Sequence, residues 1–335
     1  MDSGVRMAFC YAFHELSNDF SFQEQLANFA DLMKDERLNS QDLVQIGVAY
    51  DSFVQDNNNT QAIVDLVNNN NVSALTMHFL GGPWSYANSP SKLEQLGLMN
   101  GTTPIVFSHA SYATNDDAEL LRKYDQYIST TLEFEMHYGH GHHNNPLIQD
   151  QSALGVDTHF TFSTDIIGQA RMWLQSTRLR FFYQSLDNWN IPRNNPMSAN
   201  QAFTLATRSG ALAMRRPDLG VLATGNKADT VVFDGDSPNM LGWSDPVAAV
   251  ILHSHVGDIR HVMVGGQWRK RDGELVTKQN RPEVQNKFLE SAKRIQKIWL
   301  ETPLPDLQGE FNGLSHVDYV NAYTVDAVRG NGTGY

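Results

Sequence analysis

Short apolar runs recur through the first half of the chain, each separated from the next by room for one helix. They begin near Val5, Gln45, Ala74, Pro104, Leu132 and Leu154, at intervals of 40, 29, 30, 28 and 22 residues. Between them, residues 21–37, 60–67, 91–98 and 116–127 carry apolar side chains at three- and four-residue spacing; Phe22, Leu26, Phe29 and Leu32 are the clearest set. The segment from 116 opens with Asp116 and Asp117, acids suited to a helix N-terminus. Repeated strand–helix units of this length predict a parallel sheet, because parallel neighbours need a crossover connection.

Two α/β architectures satisfy that pattern, an open doubly wound sheet and a closed (β/α)8 barrel. No Gly-x-Gly-x-x-Gly follows any strand, which counts against dinucleotide binding. His78 ends the third strand, His109 the fourth and Asp157 the sixth. Barrel enzymes place their chemistry at strand C-terminal ends, so the expected fold is a TIM-type barrel, incomplete at about six of eight units. Residues 166–183 and 200–214 read as helices. The stretches 228–233, 248–253 and 262–264, followed by Gly265-Gly266-Gln267-Trp268 and a returning strand, read as a small β-subdomain. Residues 282–299 read as a helix and 329–335 as a Gly-rich tail. The expected division is a partial barrel over 1–215, a β-subdomain over 216–278, and a C-terminal helix and tail over 279–335.

Composition narrows the function. At 41% hydrophobic and 10% aromatic, the chain is too apolar to be disordered. Its longest apolar run, Pro246–Leu252, falls far short of the roughly 20 residues that a membrane span needs. Acids outnumber bases 37 to 25, which leaves no footprint for nucleic acid or anionic lipid. Cys10 is the single cysteine, so neither a disulfide framework nor a thiolate metal site is expected. The start of the chain does not read as a secretory leader, and a cytoplasmic protein is expected. Four Asn-x-Ser/Thr matches, at Asn58, Asn71, Asn100 and Asn331, carry little weight in so asparagine-rich a chain.

The segments TMHFLGGPW, PIVFSHASYA, LGVDTHFTFSTDI, FTLATRSGALAM, LGVLATGNKADTVVFD and VMVGGQW together resemble the amidohydrolase superfamily. The resemblance runs over about residues 5–276 and is greatest to the cytosine deaminase and chlorohydrolase-like branch in its fungal form. It implies a metal-dependent hydrolase acting on non-peptide carbon–nitrogen bonds of a small molecule. His78 matches the metal-ligand histidine of barrel strand 5. His109 matches the strand-6 histidine that binds a second metal or polarises substrate, and Asp157 the strand-8 aspartate that touches metal and accepts the proton of the attacking water. The implied cofactor is a divalent metal, zinc first. A set of two histidines and one carboxylate also suits iron. Trp84, His140 and His159 fall on loops expected to face substrate.

Two positions depart from that pattern. The family's strand-1 His-x-His pair has no counterpart: His14 is the only histidine before His78, so the chain is expected to begin at about strand 3. Deaminase-like members carry a glutamate three residues after the strand-5 histidine, where this chain has Gly81. The competing reading is therefore a non-catalytic homologue that binds small molecules or self-associates, its open sheet edges pairing in a homo-oligomer.

Other features have blander readings. His137, His140, His142 and His143 form either an independent metal site or, twice as readily, a substrate-facing loop. Gly220 to Lys227 fails as a phosphate loop, because Asn226 separates glycine from lysine, and reads as a turn before the Thr230 strand. Glu133 and Glu135, read on one strand face about 6.6 Å apart, select no chemistry. Arg215 and Arg216 read as a solvated helix end, and Asp165 as a helix cap.

Overall fold

Hydrophobic alternation decides which way each strand faces. Ile46, Val48 and Tyr50, then Leu75, Met77 and Phe79, then Ile105 and Phe107 join one buried cluster with the apolar stripes of the surrounding helices, including Phe29, Ile63, Leu93 and Leu121. Residues between them, such as Gln45, Gly47, Ala49 and Thr76, are mostly small and face the other way. Gly47 is there of necessity: a Cβ would lie 2.7 Å from the Ala74 carbonyl oxygen and 2.8 Å from Cys10 Sγ.

The computed structural model describes residues 3–16, 20–39, 43–55, 57–85, 88–311 and 317–323; Tyr86, Asn331 and the expected 329–335 tail lie outside them. The first half runs β1 (Met7–Phe13), α1 (Phe22–Leu32), α2 (Glu36–Asn39), β2 (Val44–Tyr50), α3 (Asn58–Asn69), β3 (Leu75–Phe79), α4 (Pro90–Gln95), β4 (Ile105–His109), α5 (Asn115–Tyr124), β5 (Tyr127–Thr130), α6 (Leu132–His137) and β6 (Ser152–Leu154). Next come α7 (Ile166–Leu186), α8 (Ala199–Ala206), α9 (Arg208–Ala213), β7 (Thr230–Phe233), α10 (Pro246–Leu252), β8 (Ile259–Val264), β9 (Gln267–Arg271), β10 (Glu274–Leu275) and α11 (Arg281–Glu301).

All six first-half strands are parallel and lie in the order β1-β2-β3-β4-β5-β6. A doubly wound sheet reverses direction at a switch point; sequential order is the order of a barrel. The sheet is thus a six-strand arc of a TIM-type barrel, with β1 and β6 at its edges. The inner face of β1–β4, away from their C-terminal ends, lines a cavity of about 1040 Å³ with Cys10, Gln45, Thr76 and Val106, closed opposite by residues such as Phe203 and Met214. A second sheet, β10-β9-β8-β7, is antiparallel. Two compact units result, Met1–Lys278 and Gln279–Tyr335. Within the second, α11 is capped by Asn280, whose side chain accepts the Glu283 N–H. Among the described residues no helix is long and apolar enough to cross a membrane.

Several expected elements change. The alternating Leu-Glu-Phe-Glu-Met-His run is helix α6, and strand β5 is the preceding Tyr127–Thr130. Leu, Glu and Met are strong helix formers, and the Thr131 N–H closes on the Glu135 side chain rather than on a strand. Residues 248–253 fall in helix α10 and the loop after it, not in a strand: Pro246 takes the first turn, and Asp245 Oδ1 accepts the Val247 and Ala248 N–H groups. The expected 200–214 helix breaks at Thr207 into α8 and α9. Arg215 is no solvated helix end, because Nη1 donates to the Gly101 and Thr102 carbonyls and Nη2 to that of Tyr124. Arg216 pairs with Asp218. Asp165 does cap α7, accepting the Ile167 N–H.

Candidate active site

Parallel register brings the strand ends level. His78 pairs with Ser108 and Phe79 with His109, so the two histidines emerge side by side from β3 and β4. Their rings are 5.8 Å apart, and His109 Nε2 lies 3.7 Å from Asp157 Oδ2. The three residues expected at the mouth of the arc are therefore brought together. His109, Ala110 and Asp157 all have left-handed backbones, with φ of 73°, 51° and 55°. Such conformations are costly away from glycine and cluster where the surrounding structure over-determines a functional group.

Each imidazole is backed by a carboxyl group. Asp51, just past β2, accepts the His78 backbone N–H at 2.7 Å through Oδ1 and the ring Nδ1–H at 2.8 Å through Oδ2. Asn88 steadies this pair by donating to the Asp51 and His78 carbonyls. Hydrogen bonding to Asp51 raises the His78 pKa above its usual value, against the opposing pull of burial. Burial pushes the Asp51 carboxyl up, but the His78 hydrogen bonds outweigh it and leave it lowered.

His109 is fully buried. Its Nδ1 lies 2.9 Å from Thr131 Oγ1 and 3.3 Å from Glu135 Oε1, and its carbonyl accepts from Asn145. Burial, then the charge of His78, presses its pKa down to about 4; burial raises Glu135 to about 8. At neutral pH this close contact is a hydrogen-bonded neutral pair rather than an ion pair.

An aromatic collar surrounds the mouth. Phe134 stacks on His109 at 5.2 Å, His140 meets His109 edge-on at 5.6 Å, and Trp84 meets His140 at 4.6 Å. Trp84 and His140 belong to this collar, whereas His159 is exposed and outside the ring contacts among the described residues. The neighbouring histidines disperse: His142 goes to Trp173, His143 to Tyr112 and His137 to Phe162. Burial lowers both His140 and His142 to about 4. Apart from Tyr138, shared by His137 and His140, the ring neighbours of the four histidines differ, which supports a loop lining rather than a metal site of their own.

Residues 4–269 match the model of the amidohydrolase family. The chain belongs to that family. Among curated relatives, 5-methylthioadenosine/S-adenosylhomocysteine deaminase of Desulfitobacterium hafniense is 28% identical over 197 residues, which is 57% of this chain and 43% of that protein. 8-Oxoguanine deaminase of Pseudomonas aeruginosa is 33% identical over 123 residues, 36% of this chain and 25% of its own length. The chain thus spans less than half the length of the curated relatives cited. A zinc-bound adenosine deaminase structure from Xanthomonas campestris superposes with a TM-score of 0.75 at 16% identity, over 88% of this chain and 67% of that one. An atrazine chlorohydrolase from Arthrobacter aurescens complexed with zinc gives 0.67 at 18%, over 85% and 66%. At those identities the likeness establishes the fold, an amidohydrolase barrel.

For an amidohydrolase, the donor chemistry at the mouth is of the right kind. His78 and His109 have Nδ1 engaged by carboxyl-side partners, which leaves Nε2 for a ligand, and Asp157 adds a carboxylate. In this conformation the donors do not close: among the described residues no three of His, Cys, Asp and Glu group tightly enough to hold an ion. Gly81 also has a structural reason. Its φ is +72°, and a Cβ would approach that of Tyr112 at 3.2 Å, so a glutamate there would be strained. Sequence reasoning missed Asp51 and Thr131 and gave Glu135 no role. The strand-end rule that found Asp157 applies equally to Asp51, directly after β2.

Proposed function

We propose that this amidohydrolase chain hydrolyses a carbon–nitrogen bond on a flat heteroaromatic small molecule, with His78, His109 and Asp157 as the working residues. The observation that carries this reading is their convergence at the strand ends, with a carboxyl group behind each imidazole. Names of the relatives support the substrate class: adenine- and guanine-type deaminases, and a hydrolase of a chlorinated triazine. A planar ring suits the collar of Trp84, Phe134 and His140, since aromatic faces favour offset or edge-on stacking.

Zinc, present in two of the related structures, would be held by His78, His109 and Asp157 and would lower the pKa of a bound water towards neutrality. Asp157 takes the proton of the attacking water as its oxygen adds to the ring carbon. The carbon–nitrogen bond then breaks, and Asp157 returns that proton to the departing nitrogen. His109 Nε2 orients the reacting group beside Asp157. With Gly81 in the acid's position, Asp157 serves both transfers. A cytoplasmic location fits the single, half-buried cysteine.

The test is release of ammonia or amine from aminopurines and aminotriazines by the zinc-loaded full chain. Asp157→Asn is expected to lower kcat/KM by about 10²–10⁴-fold. Turnover that survives Asp157→Asn would contradict the assignment. Gly81 and the unclosed donor set favour a second reading, binding of the same ring compounds without turnover. Saturable binding with no product under any metal would establish it.

A further inference from the structure

We propose that Thr131 and Glu135 fix His109 in the tautomer that carries its proton on Nδ1, so that Nε2 presents a lone pair to the mouth beside Asp157. The proposal deepens the reading just given and rests on His109 working at the mouth. It makes Thr131 and Glu135 positioning residues, since neither need touch substrate.

The argument is a count of donors and acceptors. Glu135 Oε1 takes the Thr131 backbone N–H at 2.9 Å and lies 3.4 Å from the Thr131 hydroxyl, which donates to it. With its hydroxyl proton turned to Glu135, Thr131 Oγ1 offers a lone pair to a proton on His109 Nδ1, 2.9 Å away. Glu135 Oε1, 3.3 Å from the same nitrogen, is a second acceptor. If Nδ1 were bare, the Thr131 hydroxyl would have to leave Glu135 to serve it, and Glu135 Oε1 would still face a nitrogen lone pair inside a site where His109 is 1% and Glu135 0% exposed. An unmade bond there costs the full desolvation of the groups involved.

Oε1 already accepts the Thr131 N–H, and Oε2 has no hydrogen-bond partner among the described residues, so the carboxyl contacts that orient the ring all run through Oε1. The His109 backbone fixes the other half of the geometry: its left-handed φ and the Asn145 hydrogen bond to its carbonyl hold the ring against Thr131, while Phe134 stacks on its face.

The experiment is nitrogen-15 NMR of the imidazole rings in the full chain, metal-free at pH 7, with His109 assigned by its loss in His109→Gln. Wild type is expected to show a protonated Nδ1 and a bare Nε2. Thr131→Val, which keeps the shape and removes the hydroxyl, is expected to move the population towards the Nε2–H form with the thermal midpoint little changed. Glu135→Gln keeps an oxygen acceptor and is expected to restore the wild-type pattern, whereas Glu135→Met is not. Zinc affinity should fall about 10–100-fold in Thr131→Val. Wild-type protein with its proton on Nε2 would overturn the proposal, and so would a wild-type tautomer retained in Thr131→Val. Failure of the hydrolase reading shows up separately, as absent turnover with the tautomer intact.

Discussion

Two histidines at the same mouth are each held by a carboxyl group, yet the two pairs behave oppositely. Asp51–His78 is open to water, with side chains 31% and 52% exposed; Glu135–His109 is sealed, at 0% and 2%. In the open pair hydrogen bonding prevails, so His78 is raised and Asp51 lowered, and both lean towards charge. In the sealed pair desolvation prevails: His109 falls to about 4, Glu135 rises to about 8, and both are neutral. Burial, not the identity of the partners, decides which one is an ion pair. The open pair is an adjustable electrostatic anchor, and the sealed pair is an oriented neutral donor.

The largest expected effect lies on the sealed side. His109→Ala should reduce kcat/KM on any substrate found by about 10³-fold or more, roughly 4 kcal/mol, because it removes the ring whose Nε2 lies 3.7 Å from Asp157. Next is Glu135→Ala, which leaves the Thr131 N–H unsatisfied and opens a void. A loss of about 3 kcal/mol in urea unfolding is expected, since removing one partner of a buried polar pair is far costlier than removing an exposed one. Equal losses from Glu135→Ala and Asp51→Ala would break the contrast.

Dependence on pH sharpens it further. A folded pKa raised above the unfolded value, as for Glu135 and His78, gives stability that is lost as pH rises towards the folded pKa. A depressed one, as for His109, gives stability that is lost as pH falls from about 6.5 towards 4. Between about pH 4.5 and 6.5 the sealed pair's two contributions oppose and cancel. From about 6.5 to 8 only the Glu135 loss remains, on the order of 2 kcal/mol. Metal-free protein should therefore weaken across that window in denaturant titrations. Glu135→Gln should remove most of the decline, and Asp51→Asn only the smaller part owed to His78. Smallest of all, Asp51→Asn should cost no more than about 1 kcal/mol at pH 7, as exposed pairs do.

Much of this was legible in the sequence. Strand spacing gave the parallel sheet, and strand-end polarity picked out His78, His109 and Asp157, because barrel geometry maps a linear position directly onto the mouth. The sealed pair was hidden for a physical reason. Leu132 to His137 alternates like a strand, and its helix-forming residues together with the Thr131 N–H closing on Glu135 decide for helix, so a buried acid read as one face of a sheet. The Pro246–Leu252 run has no period to separate strand from helix, and its Asp245 cap decided it. Arg215 reached carbonyls more than 90 residues away, contacts that no local pattern carries.

The central claim is that His78, His109 and Asp157 serve a single metal-assisted site. Its most direct test is equilibrium zinc titration of the full chain, wild type against His78→Ala, His109→Ala and Asp157→Asn. The account predicts one equivalent of zinc in wild type, weakened in every variant. Zinc bound equally well by all four proteins, or by none, would contradict it.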